Sequence, residues 1–122
     1  MYGDSVAVCD VDRHVRDQAK AAFGSTPHSF EDYRELLERD DVDVVCIASP
    51  DRLHAPQSID ALHAGKDVYC EKPLTHWNQF ELAKKMERVA AERGRLVQVG
   101  TQHMADDNYP EIIRLIRQGI IG

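Results

Sequence analysis

The chain has 122 residues, enough for one compact domain and too few for two of ordinary size. Its formal charge is -6, with 15 Lys and Arg scattered among 21 acids instead of gathered in a stripe, so a nucleic-acid partner is excluded. No apolar run approaches the ~20 residues of a membrane-spanning helix, and Met1 to Ser5 form no basic-then-apolar leader, which makes the cytoplasm the expected compartment and leaves no membrane partner.

Ser5 to Cys9 is a β-branched-rich run of strand length, ending at Asp10. After Asp12, Val15, Ala19, Ala22 and Phe23 recur at helical spacing and stop at Gly24, a helix-ending residue. An extended piece is expected near Thr26 to His28. Ser29 with Asp32 three residues later resembles a capping box and predicts a short helix carrying Phe30, Tyr33, Leu36 and Leu37. Val42 to Ala48 is the next strand, closing at Ser49-Pro50-Asp51. A helix is predicted from Ala55 to Ala64, with Pro56 near its first position, Ile59 and Leu62 on one face, and Gly65 at its end. Asp67 to Cys70 is a strand ending at Glu71-Lys72-Pro73. Thr75 or Asn78 is the expected cap of a longer helix with Leu82, Met86, Val89 and Ala90 as its stripe, stopping at Gly94. Leu96 to Val99 is the last strand, followed by Gly100-Thr101-Gln102, and Pro110 opens a final helix with Ile112, Leu115 and Ile116. Cys9, Cys46 and Cys70 are widely spaced and flanked by apolar or aromatic residues, so they read as reduced, buried strand residues with no metal role.

Strand and helix alternate throughout, which predicts an α/β fold: a Rossmann-type doubly wound parallel sheet with flanking helices. Ligands of such sheets lie outside the carboxyl ends of the strands, so the chemistry is sought there. Asp10 is placed to accept hydrogen bonds from both hydroxyls of an adenosine ribose and to repel a 2′-phosphate; alternatively Asp10 or Asp12 simply caps the following helix. Ser49, Pro50 and His54 can line a second ribose, or form a turn and a helix start. In Glu71-Lys72-Pro73, the Lys72 ammonium can donate to a substrate oxygen as negative charge grows there, with Glu71 holding it in place. The competing reading is a solvated ion pair. Lys72-Pro73 is a candidate cis peptide.

Taken together, Val6 to Asp12, Phe30 to Leu37, Val42 to Pro50, His54, Ala64 to Leu74 and Val97 to Gln102 closely resemble the Gfo/Idh/MocA family, the glucose-fructose oxidoreductases and inositol dehydrogenases. The resemblance implies an enzyme oxidising a CH-OH group of a small-molecule sugar or polyol, with NAD as cofactor more than NADP, in a homo-oligomeric parent. It places Asp10 on the adenine ribose and Ser49, Pro50 and His54 near the nicotinamide half. It puts Glu71, Lys72 and Pro73 at the family's Glu-Lys-Pro motif, with Lys72 catalytic between nicotinamide and substrate, and Gln102 beside cofactor or substrate.

Three departures stand out. The family's first strand and its Gly-x-Gly-x-x-Gly turn have no counterpart among Gly3, Gly24, Gly65, Gly94, Gly100, Gly119 and Gly122. The substrate domain that follows in the family lies outside residues 1–122, which are expected to form a partial nucleotide-binding domain. His103 and Met104 stand where relatives often carry arginines. In the usual strand order 3-2-1-4-5-6, loss of strand 1 opens the centre of the sheet between the strands ending at Cys9 and at Ala48, so these residues alone are expected to fold poorly or self-associate. A non-catalytic remnant that keeps the fold as a binding module is the rival reading.

Overall fold

The computed structural model describes residues 4–23, 27–106 and 108–120. Within them the elements alternate as β1 (Ala7–Cys9), α1 (Arg13–Ala22), β2 (His28–Phe30), α2 (Tyr33–Leu37), β3 (Val44–Ile47), α3 (Asp51–His63), β4 (Asp67–Glu71), α4 (Phe80–Arg93), β5 (Val97–Gly100), a 3-10 turn at Gln102–Ala105, and α5 (Asn108–Arg117). Every strand pair is parallel. β1 pairs with β2, in a register that sets Val8 against Ser29. β3, β4 and β5 form a second sheet in that order, with Cys46 against Tyr69 and Tyr69 against Gln98.

Strand periodicity decides what is buried. Val68 and Cys70 on β4 point to the face covered by α3 and α4, where Leu62, Ala55, Ala61, Met86 and Val89 complete the core. Val44, Cys46 and Gln98 point to the opposite face and stay exposed. Cys46 therefore differs from the expectation of burial: it falls on the uncovered side of a two-residue repeat. The two sheets are held together by helices. Leu36 and Leu37 of α2 share the core with Ala55 and Ile59 of α3, Tyr33 donates to Asp60 at 2.7 Å, and Lys66 Nζ donates to the Arg39 carbonyl at 2.6 Å. Burial, reinforced by the bond to Asp60, pushes the Tyr33 phenol up to about 12.

β1 and β3 are not hydrogen-bonded to one another, and among the described residues no strand lies between them. This is the opening expected where strand 1 of a doubly wound sheet belongs, at the point where the strand order reverses.

Several element bounds differ from the sequence reading for identifiable reasons. The end of α1 expected at Gly24, and the start of the extended piece at Thr26, lie outside the described residues; the observed cap is Phe23. Ser29 and Phe30 belong to β2, and it is Asp32 that caps α2 by accepting from Arg34 N at 3.0 Å. α3 starts a turn early, at Asp51, so Pro56 lies inside it. Neither Thr75 nor Asn78 caps α4; its cap position is Gln79, and the Asn78 side-chain Oδ1 is taken by the His76 ring at 2.6 Å. α5 begins two residues before Pro110. Gly94 ends α4 at φ 60, a left-handed conformation that favours glycine.

Candidate functional site

At the end of β1 the two aspartates divide their work. Asp12 caps α1, accepting from His14 N at 2.7 Å. Asp10 is not the cap: its Oδ1 accepts from Asp12 N at 2.8 Å, a local turn that leaves the rest of the carboxylate at the mouth of the strand. Arg16 reaches back to the Asp10 carbonyl at 2.5 Å and lies 3.7 Å from Glu31, fixing this corner.

At the end of β3, Pro50 opens α3 without a side-chain cap, and Ser49 Oγ donates to Gln57 Oε1 at 2.6 Å. His54, in the first turn of α3, is only 2 % exposed. Its Nε2 lies 2.6 Å from the Ser49 carbonyl oxygen and its Nδ1 lies 2.6 Å from that of Pro73. The end of β3 and the turn after β4 thus meet on one imidazole.

At the end of β4, Glu71 shares the sheet face of Tyr69, opposite Val68 and Cys70. Its Oε1 accepts from Gln102 Nε2 at 2.6 Å, and its Oε2 from the backbone N–H of Lys72 at 3.3 Å. Glu71 is therefore tied to the turn after β5 and to the Lys72 main chain, which corrects the expectation that it holds the Lys72 ammonium. Lys72 is exposed, and among the described residues no acceptor pairs with its side chain. The Lys72-Pro73 peptide is cis, matching the sequence reading. Gly100 lets this corner close: a Cβ there would stand 2.8 Å from the Tyr69 hydroxyl and 3.2 Å from Glu71 Oε1. Tyr69, Gln98, Thr101 and Gln102 line a shallow recess beside it.

Seven of the sequence-derived residues, Ser49, Pro50, His54, Glu71, Lys72, Pro73 and Gln102, thus form one patch joined by hydrogen bonds or chain adjacency. Asp10 sits at a strand end of the other sheet, across the opening, and none of its hydrogen bonds reaches the patch. The reading overlooked Tyr69, which a period of two from Glu71 places on the same face, and Gln57, for which nothing in the sequence pairs it with Ser49. Burial pushes the thiols of Cys9 and Cys70 up, away from the reactive thiolate. Among the described residues no cluster of His, Cys, Asp or Glu could hold a metal ion, and no helix is long and apolar enough to cross a membrane.

Comparison with known proteins gives a consistent result. Residues 3–101 match the model of the GFO_IDH_MocA oxidoreductase family, NAD-binding Rossmann fold. An inositol 2-dehydrogenase of Rubrobacter xylanophilus is 37% identical over 118 residues, covering 96% of this chain and 33% of the relative. Among solved structures, a scyllo-inositol dehydrogenase from Lactobacillus casei with bound NAD(H) and scyllo-inositol is 34% identical, with a TM-score of 0.78 over 95% of this chain and 34% of that one. A 3-ketoreductase from Actinomadura kijaniata in complex with NADP and TDP-benzene is 33% identical, with a TM-score of 0.82 over 96% of this chain and 35% of that one. The chain spans about a third of the length of the curated relatives it matches.

Proposed function

Because the chain belongs to the GFO_IDH_MocA family of oxidoreductases, with its NAD-binding Rossmann fold, we propose that it is the nucleotide-binding part of an enzyme that oxidises a secondary alcohol of a polyol or sugar with NAD. One observation carries the reading: at the carboxyl end of β4 an ammonium, Lys72, is left without an acceptor while the residues around it are fixed by hydrogen bonds to α3, to Glu71 and to the turn after β5. A cation so held is available to an oxygen that gains negative charge.

The donor set fits a dinucleotide laid along the strand ends. Asp10, freed of the capping role, would take the adenosine ribose, and its charge disfavours a 2′-phosphate, which supports NAD over NADP. Ser49 and Pro50 would line the nicotinamide ribose, with His54 acting on that loop from beneath. Gln102, held by Glu71, would meet the cofactor or the substrate beside Lys72. A nicotinamide dinucleotide held by Asp10, Ser49, Pro50 and Gln102 would supply the hydride acceptor for the carbinol carbon. Lys72 would donate a hydrogen bond to the carbinol oxygen while the hydroxyl proton passes to water at this exposed strand end, stabilising the charge that the new carbonyl oxygen carries in passing. Glu71 keeps the Lys72 backbone in place through Oε2. The relatives named as inositol dehydrogenases and as a sugar 3-reductase support a polyhydroxylated ring as substrate. Three free cysteines in the chain support a cytoplasmic setting.

The test is turnover of a polyol with NAD by the full-length protein and its Lys72→Ala variant. The expected result is a loss of about 10²-fold or more in kcat with NADH affinity within a few-fold of wild type. Turnover unaltered by the substitution removes Lys72 from the mechanism.

A further inference from the structure

His54 has an unusual set of partners for a buried histidine. Both ring nitrogens lie 2.6 Å from main-chain carbonyl oxygens, Ser49 on one side and Pro73 on the other. A carbonyl oxygen only accepts. A neutral imidazole offers one N–H and one lone pair, so in that form one of the two contacts sets a lone pair against a lone pair at hydrogen-bond distance. Only the imidazolium donates on both sides, and distances this short suit charge-assisted bonds.

The two carbonyls belong to different strand ends. Ser49 follows β3, and Pro73 follows Lys72 at the end of β4. The imidazolium therefore clasps together the two loops between which the nicotinamide end of a dinucleotide would lie. Two forces oppose the charge: His54 is almost fully buried, which disfavours the charged form, and it stands in the first turn of α3, where the helix dipole disfavours a cation. The segments that meet at the ring carry Asp51 and Arg52 on α3, Glu71 and Lys72 at the end of β4, and His76 in the following turn. None of these is hydrogen-bonded to the ring, whose nitrogens are both taken by carbonyls. Glu71 is engaged with Gln102 and the Lys72 N–H, and His76 with Asn78.

We propose that His54 is a positioning residue that acts as a doubly protonated clasp, so that loss of one proton frees one carbonyl, loosens the Ser49 and Lys72-Pro73 loops from each other, and weakens nicotinamide-nucleotide binding as pH rises. The nucleotide part of this inference rests on the proposed function; the protonation part does not.

Two measurements on the full-length protein test it separately. The first is the protonation of the His54 ring nitrogens by nitrogen-15 NMR, assigned with His54→Gln, across the range in which imidazoles titrate, about pH 5.5 to about pH 8.5. Two ring protons at the acid end and one at the alkaline end are expected, with the Leu74 and Asp51 amide signals moving along the same curve. A ring that carries one proton throughout overturns the clasp, and one that carries two throughout overturns its release as pH rises. The second is NADH affinity over that range: a fall of roughly tenfold toward high pH in wild type, as for loss of one charge-assisted hydrogen bond, and a flat, weak profile in His54→Gln. A flat wild-type profile overturns the coupling. If NADH does not bind at any pH, the dinucleotide reading fails, and the ring protonation still decides the clasp.

Discussion

Asp10 and Asp12 show how far one side chain's meaning depends on its neighbour. Either could cap α1 from its place in the sequence; the geometry gives the cap to Asp12 and leaves the Asp10 carboxylate bonded to the Asp12 N–H. That division makes the cofactor preference testable without disturbing the corner. Asp10→Asn keeps an oxygen for the Asp12 N–H and removes the charge that repels a 2′-phosphate. The expected outcome, read from Kd values for NADH and NADPH, is a shift of roughly tenfold toward NADPH, equivalent to about 1.4 kcal/mol. An unchanged ratio takes Asp10 out of the selection. Lys72 and Glu71 stood out from the sequence because an acid, an amine and a proline at a strand end are informative together. The partner of Glu71 was not legible, because Gln102 reaches it from the turn after β5, 31 residues away.

At the scale of elements, β-branched runs located β1, β3, β4 and β5, and glycine stops located the ends of α3 and α4, since these depend on local sterics. Helix starts were read less well, and α3 shows why. Pro56 suggested a first position, yet the helix begins at Asp51 and carries the proline in its interior. An interior proline has no N–H for the carbonyl four residues back, here Arg52. That oxygen is supplied from outside the helix: Gln79 Nε2 donates to it at 3.0 Å, while Gln79 Oε1 accepts from His76 N at 3.3 Å. No local pattern announces such a repair, because donor and acceptor are 27 residues apart. Gln79→Leu removes it, leaving the Arg52 carbonyl without its protein donor and the turn after Lys72 with only the His54 contact to Pro73 as an anchor on α3. A loss of about 1 kcal/mol is expected in urea unfolding, with faster amide exchange at His76. Unaltered stability together with unaltered exchange shows that water serves the carbonyl equally well.

For the molecule as a whole, the decisive feature is the opening between β1 and β3. Parallel sheets are ordinarily covered on both faces and continuous across their strands. Here α3 and α4 cover one face of β3, β4 and β5, while Val44 stays 59% exposed on the other, and the facing edges of β1 and β3 are unpaired. α5 adds exposed Tyr109, Ile112, Ile113 and Ile116. Unpaired strand edges bordered by apolar side chains are templates for intermolecular pairing. Residues 1–122 produced by themselves are therefore expected to sediment as a distribution of oligomers at micromolar concentration. Val44→Lys sets a charge on the first residue of the β3 edge and is expected to move that distribution toward monomer, whereas Glu87→Gln, the same change of net charge on exposed α4, leaves it as it was. The contrast between the two variants separates edge pairing from a general effect of net charge, because both raise the charge from its value of -6. A monodisperse monomer that melts cooperatively in the unsubstituted segment means that the helices alone close the fold: the shared core of α2 with α3, the Tyr33–Asp60 bond and the Lys66 bond to Arg39 then suffice without a central strand.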